Sequence, residues 1–283
     1  MVPWDDIQAR YKGGGRSLSL LSSYGRHYAK CEQALDANPD HPDALLCHGY
    51  GLEKLGRYEE AIVTFERVIA LCPRSSLAWQ GRGISLGMLC QYEDALTSFN
   101  QSLKLDPDDY RGWQNQGKTL LRLGRYPAAI VSFDQVLSLK PDSYKAWYNR
   151  AIALSCLHNY AAALTDIDRA LTIKPNSDYI WTYRGVMLTR LNRCSEASAS
   201  FENSLKINSR SPSTWYGRAC CFVRQDKLEE ALESVKRAIQ ISPSVYRHVA
   251  STDAALQPLR SDQRFRELVR REIQHREIKP NAI

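Results

Sequence analysis

The sequence predicts an all-α fold, a solenoid of antiparallel helix pairs, and three periodic observations predict it. Five of the six tryptophans, Trp79, Trp113, Trp147, Trp181 and Trp215, stand 34 residues apart. Prolines keep the same beat at Pro39, Pro73, Pro107, Pro141 and Pro175; Ser209 takes the next slot and Pro243 resumes it. Between them run three further columns. One is small (Gly49, Gly83, Gly117, Ala151, Gly185, Ala219), one is alanine throughout (Ala61, Ala95, Ala129, Ala163, Ala197, Ala231), and one is bulky (Phe65, Phe99, Phe133, Ile167, Phe201, Val235). A fixed period of this length marks a repeat architecture, in which a unit too small to bury its own faces stacks on its neighbours.

Each unit reads as two amphipathic helices. Trp113, Gln116, Gly117 and Leu120 share one helical face. Gly124 is placed to end that helix in the left-handed C′ conformation, with Arg122 and Arg125 beside the negative end of its dipole. A second helix carries Ala129, Phe133, Val136 and Leu137, and Lys140-Pro141-Asp142 stops it. Ser143, Ser177 and Ser211 are N-caps for the units that follow, and Pro212 suits the first helical turn. The small column lets helix axes approach to about 8–10 Å, and the tryptophan and phenylalanine columns fill the space between units.

Composition narrows the class of function. Of 283 residues, 43% are hydrophobic and 24% charged, which excludes a disordered or low-complexity chain. The formal charge of +7 is a mild excess spread among acids, so no nucleic-acid partner is expected. The acidic opening Met1-Val2-Pro3-Trp4-Asp5-Asp6 is unlike a signal peptide, and no apolar run reaches the roughly 18 residues of a membrane span. A cytoplasmic chain without membrane insertion is therefore expected. The eight cysteines include no Cys-x-x-Cys and the six histidines are scattered, so the cysteines read as reduced apolar fillers, with no metal and no cofactor.

The columns Trp…Gly…Tyr…Ala…Phe…Pro resemble the tetratricopeptide repeat family. The resemblance covers residues 42–245 as six tandem 34-residue repeats. Residues 1–41 read as a degenerate N-terminal repeat and cap with a loose start over 1–16. Tyr24, Ala34 and Pro39 fit there, but Tyr11 and His27 replace the tryptophan and the small residue, and Gly13-Gly14-Gly15 weakens the first helix. Residues 246–283 form C-terminal capping helices and a short tail. Ser261-Asp262 starts a helix with Phe265, Leu268, Val269 and Ile273 on one face; Arg264, Arg266, Arg270, Arg271 and Arg276 lie elsewhere on it.

The resemblance implies a right-handed superhelical solenoid whose first helices line a concave side holding an extended or helical peptide. Groove positions then fall two before, one after and five after each tryptophan. They give Arg111, Gln114 and Lys118, then Lys145, Tyr148 and Ile152, then Tyr179, Thr182 and Val186, then Ser213, Tyr216 and Cys220. Asn115, Asn149 and Tyr183 occupy the adjoining edge, and Arg122, Arg190 and Arg224 lie one turn further. Such a lining suits a protein or peptide partner with apolar anchors and some acid. The carboxylate-binding set of chaperone-binding members is only partly present: Gln80 and Ile84, Asn115, then Lys145 and Asn149 fill its slots.

One stretch imitates a phosphate-binding loop. Gly112-Trp113-Gln114-Asn115-Gln116-Gly117-Lys118-Thr119 matches G-x-x-x-x-G-K-T, a motif that works only as a loop between strand and helix. Here it carries repeat-column residues and follows a helix end, so its amides are committed to helical bonds. The reading that emerges is a non-catalytic protein–protein interaction scaffold acting through its concave face. An alternative is a regulatory or assembly factor for a multiprotein or membrane complex, acting through the convex face or the Arg-rich C-terminal helix. A phosphate-loop nucleotide-dependent enzyme is the remote alternative.

Overall fold

The structure, a computed structural model, describes residues 31 and 33–270. First helices of 13 residues alternate with second helices of 14: α1 (Pro42–Lys54) and α2 (Tyr58–Leu71), α3 (Ser76–Met88) and α4 (Tyr92–Leu105), α5 (Tyr110–Arg122) and α6 (Tyr126–Leu139). The alternation continues with α7 (Tyr144–Cys156) and α8 (Tyr160–Ile173), α9 (Asp178–Arg190) and α10 (Cys194–Ile207), α11 (Pro212–Arg224) and α12 (Leu228–Ile241). Then come α13 (Pro243–Thr252), a 3₁₀ segment (Ala254–Ser261) and α14 (Gln263–Arg270). Among the described residues no strand occurs.

The chain divides into two compact units, Met1–Arg125 and Tyr126–Ile283. In the first, each of α1 to α4 packs on the helix that follows it; in the second, the same holds from α6 to α13, and α14 packs on α13 and on the 3₁₀ segment. The alanine column is fully buried in every unit, and so are Phe65, Phe133, Ile167, Phe201 and Val235. The small column exists because of those rings. A Cβ placed on Gly49 would stand 2.7 Å from the Phe65 ring and one on Gly81 2.3 Å from it, so two successive first helices clasp one phenylalanine. Gly185 and Gly217 clasp Phe201 in the same way.

The turn inside each pair is closed by one recurrent bond from the amide two residues past the cap to the last helical turn. Arg125 donates to Leu120 at 2.9 Å and Asn159 to Leu154 at 2.9 Å. The residue before the donor takes positive φ: Gly124 at 71°, as the sequence predicts, but also Cys90, His158, Asn192 and Asp226. Of the predicted N-caps, Ser143 accepts from the Ala146 amide at 3.3 Å, and Pro212 starts α11. Ser177 and Ser211 hold the N-cap positions without a side-chain capping bond; the Ser211 hydroxyl instead accepts from the Thr214 hydroxyl at 2.8 Å.

One expectation about the cysteines is overturned. Cys31 and Cys47 form a disulfide across a Cα–Cα distance of 6.4 Å, while Cys72, Cys90, Cys156, Cys194, Cys220 and Cys221 are free thiols. The two lie 16 residues apart, a spacing no local motif signals. Tyr11, Gly13 to Gly15, Tyr24, His27 and the loose start at 1–16 lie outside the described residues, as do Arg271, Ile273 and Arg276.

At the other end the predicted helix start holds: the Asp262 carboxylate accepts from the Arg264 amide at 2.7 Å, and α14 follows. Phe265 is buried there with Leu256 and Leu259 of the 3₁₀ segment. Arg264 is not a free surface cation. It reaches Glu229 on α12 at 2.6 and 2.9 Å as well as Asp262.

Candidate functional site

The predicted groove residues fall in two places. Arg111, Gln114, Asn115, Lys118 and Arg122 all sit on α5 of the first unit. Lys118 and Arg122 are exposed, Arg111 and Asn115 half-buried, and Gln114 is buried. Gly112 to Thr119, the phosphate-loop imitation, is helical throughout, and the Thr119 hydroxyl donates to the Asn115 carbonyl at 2.9 Å. Its backbone donors are thus spent inside a helix, as its repeat-column residues imply.

The other eight lie in the second unit on α7, α9 and α11, and there the structure brings three of them together. Tyr148 of α7 sits with its ring centroid 5.1 Å from Tyr179 and 5.4 Å from Tyr183, both of α9 and both edge-on. The spacing of four residues puts Tyr179 and Tyr183 on one face of α9, and Tyr148 of the preceding first helix meets both. The Tyr183 and Ser155 hydroxyls are hydrogen-bonded, which ties the cluster back to α7. Tyr179 remains 42% exposed at the cluster's outer edge. Burial pushes the Tyr148 phenol up to about 12, and the neighbouring Tyr183 and Tyr179 push the same way. Burial likewise raises Tyr183 and Tyr179. All three are therefore neutral phenols at physiological pH, presenting ring edges and hydroxyls rather than charge.

Tyr216 joins a different group. Its hydroxyl donates to Asp253 at 2.6 Å and its ring lies 5.5 Å from Tyr246, so α11 is pinned to the segment after the last repeat. Lys145 and Asn149 are half-buried beside Tyr148 in sequence, and Arg190 and Arg224 are exposed in the last turns of α9 and α11. Neither Arg190 nor Arg224 forms an ion pair among the described residues, where many other arginines do. Against α11 the 3₁₀ segment leaves a cavity of about 640 Å³, lined by Cys220, Arg224, Ala254, Ala255, Gln257, Pro258 and Ser261.

Sequence reasoning missed a column that rigidifies this face from behind. Three residues after each tryptophan stand Arg82, Gln116, Arg150, Arg184 and Arg218. Arg150 donates to Asp166 on α8 through two bonds of 2.7 Å and also to Asp134 on α6, residues 16 ahead and 16 behind. Arg184 repeats the pattern with Asp168 at 2.7 Å and Ser200 at 2.9 Å, and Arg82 with Glu66 and Ser98. The signal was available as a 34-residue recurrence of a long donor with polar partners at ±16. Arg82, Arg150 and Arg184 each fasten one first helix to two second helices.

Three tetratricopeptide-repeat family models match this chain, one over residues 29–76, 115–178 and 188–245, one over 98–131 and one over 76–109. The chain belongs to the tetratricopeptide repeat family. The helix-pair geometry described above is that of its solved relatives. YrrB, described as a TPR protein with an unusual peptide-binding site, is 20% identical over 66% of this chain and 97% of its own, with a TM-score of 0.54. PilF of Pseudomonas aeruginosa is 15% identical over 78% of this chain and 97% of its own, with a TM-score of 0.64. A chain of the APC/C Cut9–Hcn1 hetero-tetramer is 14% identical over 83% of this TPR chain and 45% of its own, with a TM-score of 0.65. At these identities the likeness speaks to the fold. No curated protein matches the sequence. Among the described residues no helix is long and apolar enough to cross a membrane.

Proposed function

We propose that this TPR chain is a protein-interaction scaffold whose second unit holds a peptide on the face formed by its first helices, with Tyr148, Tyr179 and Tyr183 as the anchor surface. Family membership supports the class of function: a repeat array of helix pairs offers an extended face of first helices. The observation that carries the finer reading is the tyrosine cluster itself. Three rings from two helices converge at 5.1 and 5.4 Å, yet Tyr179 keeps 42% of its surface open. Fixed aromatic surface costs little side-chain entropy to bind against, and buried tyrosines are among the residues that dominate interface energetics. The Arg150 and Arg184 fastenings hold α7 and α9 in place, so the surface is organised before any partner arrives.

The partner this surface fits is a linear segment with an aromatic or bulky aliphatic side chain to set against the tyrosine edges. Docking through the Arg-rich C-terminal helix fits less well, because Arg264 is already committed to Glu229 and Asp262. Panning a displayed library of random linear peptides against the purified chain tests the proposal. Selected peptides should carry an apolar anchor and lose about tenfold or more in affinity for Tyr179→Ala/Tyr183→Ala. Equal binding to wild type and to a variant of unchanged helix content overturns it.

A further inference from the structure

The face that begins at the tyrosines ends at two cations. Tyr179, Tyr183, Val186 and Arg190 follow one another at helical spacing on α9, and Tyr216, Cys220 and Arg224 do so on α11. Seven residues separate Tyr183 from Arg190, which is roughly 10 Å along the helix. At that end the 3₁₀ segment from the non-repeat tail closes over α11 and leaves the cavity of about 640 Å³ with Arg224, Gln257 and Ser261 in its wall.

The electrostatics of this end are one-sided. Arg190 and Arg224 lack an ion-pair partner among the described residues and are both exposed. The carboxylate of Asp253, next to the cavity-lining Ala254, sets one negative charge against these two positive ones, so a net positive charge remains. Asp253 is occupied by the Tyr216 hydroxyl at 2.6 Å and the Ala255 amide at 2.8 Å. Cys220 adds no negative charge, since burial and then the Asp253 carboxylate push its thiol up to about 12. A helix C-terminus favours a nearby cation, which accounts for arginine at each of these positions singly. It does not account for a cavity beside one of them whose otherwise largely apolar wall also carries Gln257.

We propose that the cavity between α11 and the 3₁₀ segment, with Arg224 in its wall and Arg190 beside it, is a subsite for a carboxylate of an acidic peptide segment. It extends the tyrosine face of the proposed function and rests on that reading for the rest of the peptide. Guanidinium forks match carboxylates in two-bond geometry, and the Gln257 side chain stands in the same wall lining as a further donor, while the Ser261 hydroxyl donates to the Pro258 carbonyl. An extended peptide advances about 3.3 Å per residue, so its acid should sit about three residues from its apolar anchor. Nucleic acid fits poorly, because a polynucleotide needs a continuous basic track rather than two cations at the mouth of one cavity.

Fluorescence anisotropy with labelled hexaglutamate, on the full chain, tests the subsite independently of the tyrosines. Wild type should bind saturably. Arg190→Gln/Arg224→Gln should weaken binding by about tenfold or more. Arg169→Gln/Arg210→Gln, which removes the same charge at other exposed positions, should leave it within about twofold. Tyr179→Ala/Tyr183→Ala should also retain hexaglutamate binding, so failure of the tyrosine surface and failure of the acid subsite give different results. The proposal is overturned if wild type shows no saturable binding or if both arginine pairs weaken it equally. It is equally overturned if a labelled single-stranded oligonucleotide binds with the same dependence on Arg190 and Arg224.

Discussion

The indole of Trp147 donates its N–H to the carbonyl of Pro141 at 2.9 Å. The same bond joins Trp79 to Pro73 at 3.1 Å, Trp113 to Pro107 at 2.7 Å and Trp181 to Pro175 at 2.8 Å. Where Ser209 replaces proline, its carbonyl still accepts from Trp215 at 2.9 Å. The tryptophan and proline columns are therefore two ends of one contact that fixes each inter-repeat loop. Tryptophan does more here than fill space. Trp147→Phe keeps an aromatic ring and removes the donor, so it should cost about 1 kcal/mol in urea unfolding.

Asp166 is a buried carboxylate whose two oxygens are both taken by Arg150. These bonds and the contact with Asp134 hold the Arg150 guanidinium more firmly protonated than usual. Arg150→Ala leaves the Asp166 charge buried and alone, and should destabilise the second unit by about 3 kcal/mol or more. Arg150→Met/Asp166→Leu, which removes both charges, should recover most of that loss. A double-mutant cycle in denaturant measures the coupling, and additive losses would contradict the pairing.

Glu53 is nearly buried, one of its oxygens lacks a hydrogen-bond partner, and Lys54 at 3.4 Å only partly compensates the other. Burial raises its pKa above the ordinary carboxylate value of 4.5. A raised acid binds its proton more tightly in the folded chain, so its ionisation opposes folding at neutral pH. That cost disappears as pH falls through the folded pKa toward 4.5. Glu53→Gln should thus stabilise the chain at pH 7 by roughly 1 kcal/mol, with the gain shrinking toward pH 4.5 in thermal melts.

The disulfide makes a direct chemical prediction. Alkylation of the unfolded, unreduced chain should modify six cysteines, and reduction should expose Cys31 and Cys47 as two more. Losing a bond that closes a loop of this length removes about 3 kcal/mol in chain-entropy terms. The loss should fall on the first unit, as lower hydrogen-exchange protection around α1.

The repeat itself was legible because its determinants recur in register: the buried alanines, the rings clasped by glycines and the turn at Gly124 all follow one period. Relationships across helices were not. Arg150 finds its partners 16 residues away in both directions, and only a folded pair of helices shows that these distances meet. Cys31 and Cys47 share that separation and were missed for the same reason. The 3₁₀ segment has no period to betray it.

In the candidate site, one rule of position failed for a steric reason. The residue after each tryptophan was read as groove-facing, yet Gln80, Gln114 and Thr182 are buried. Thr182 bonds to Ser204 and Thr214, and Gln80 to Asp109, so short side chains in this slot pack between helices. Tyr148 and Tyr216 occupy the same slot and remain half-exposed, because a phenol is long enough to clear the neighbouring helix.

The central claim is that the tyrosine face of α7 and α9 is where a peptide lies. Photocrosslinking tests it most directly, with p-benzoylphenylalanine placed at Tyr179 and, as a control, at Val131, an exposed position on α6. Peptides from the library selection should attach from position 179, with mass spectrometry locating the apolar anchor at the crosslink, and not from position 131. Attachment from position 131 with none from position 179 would contradict the account.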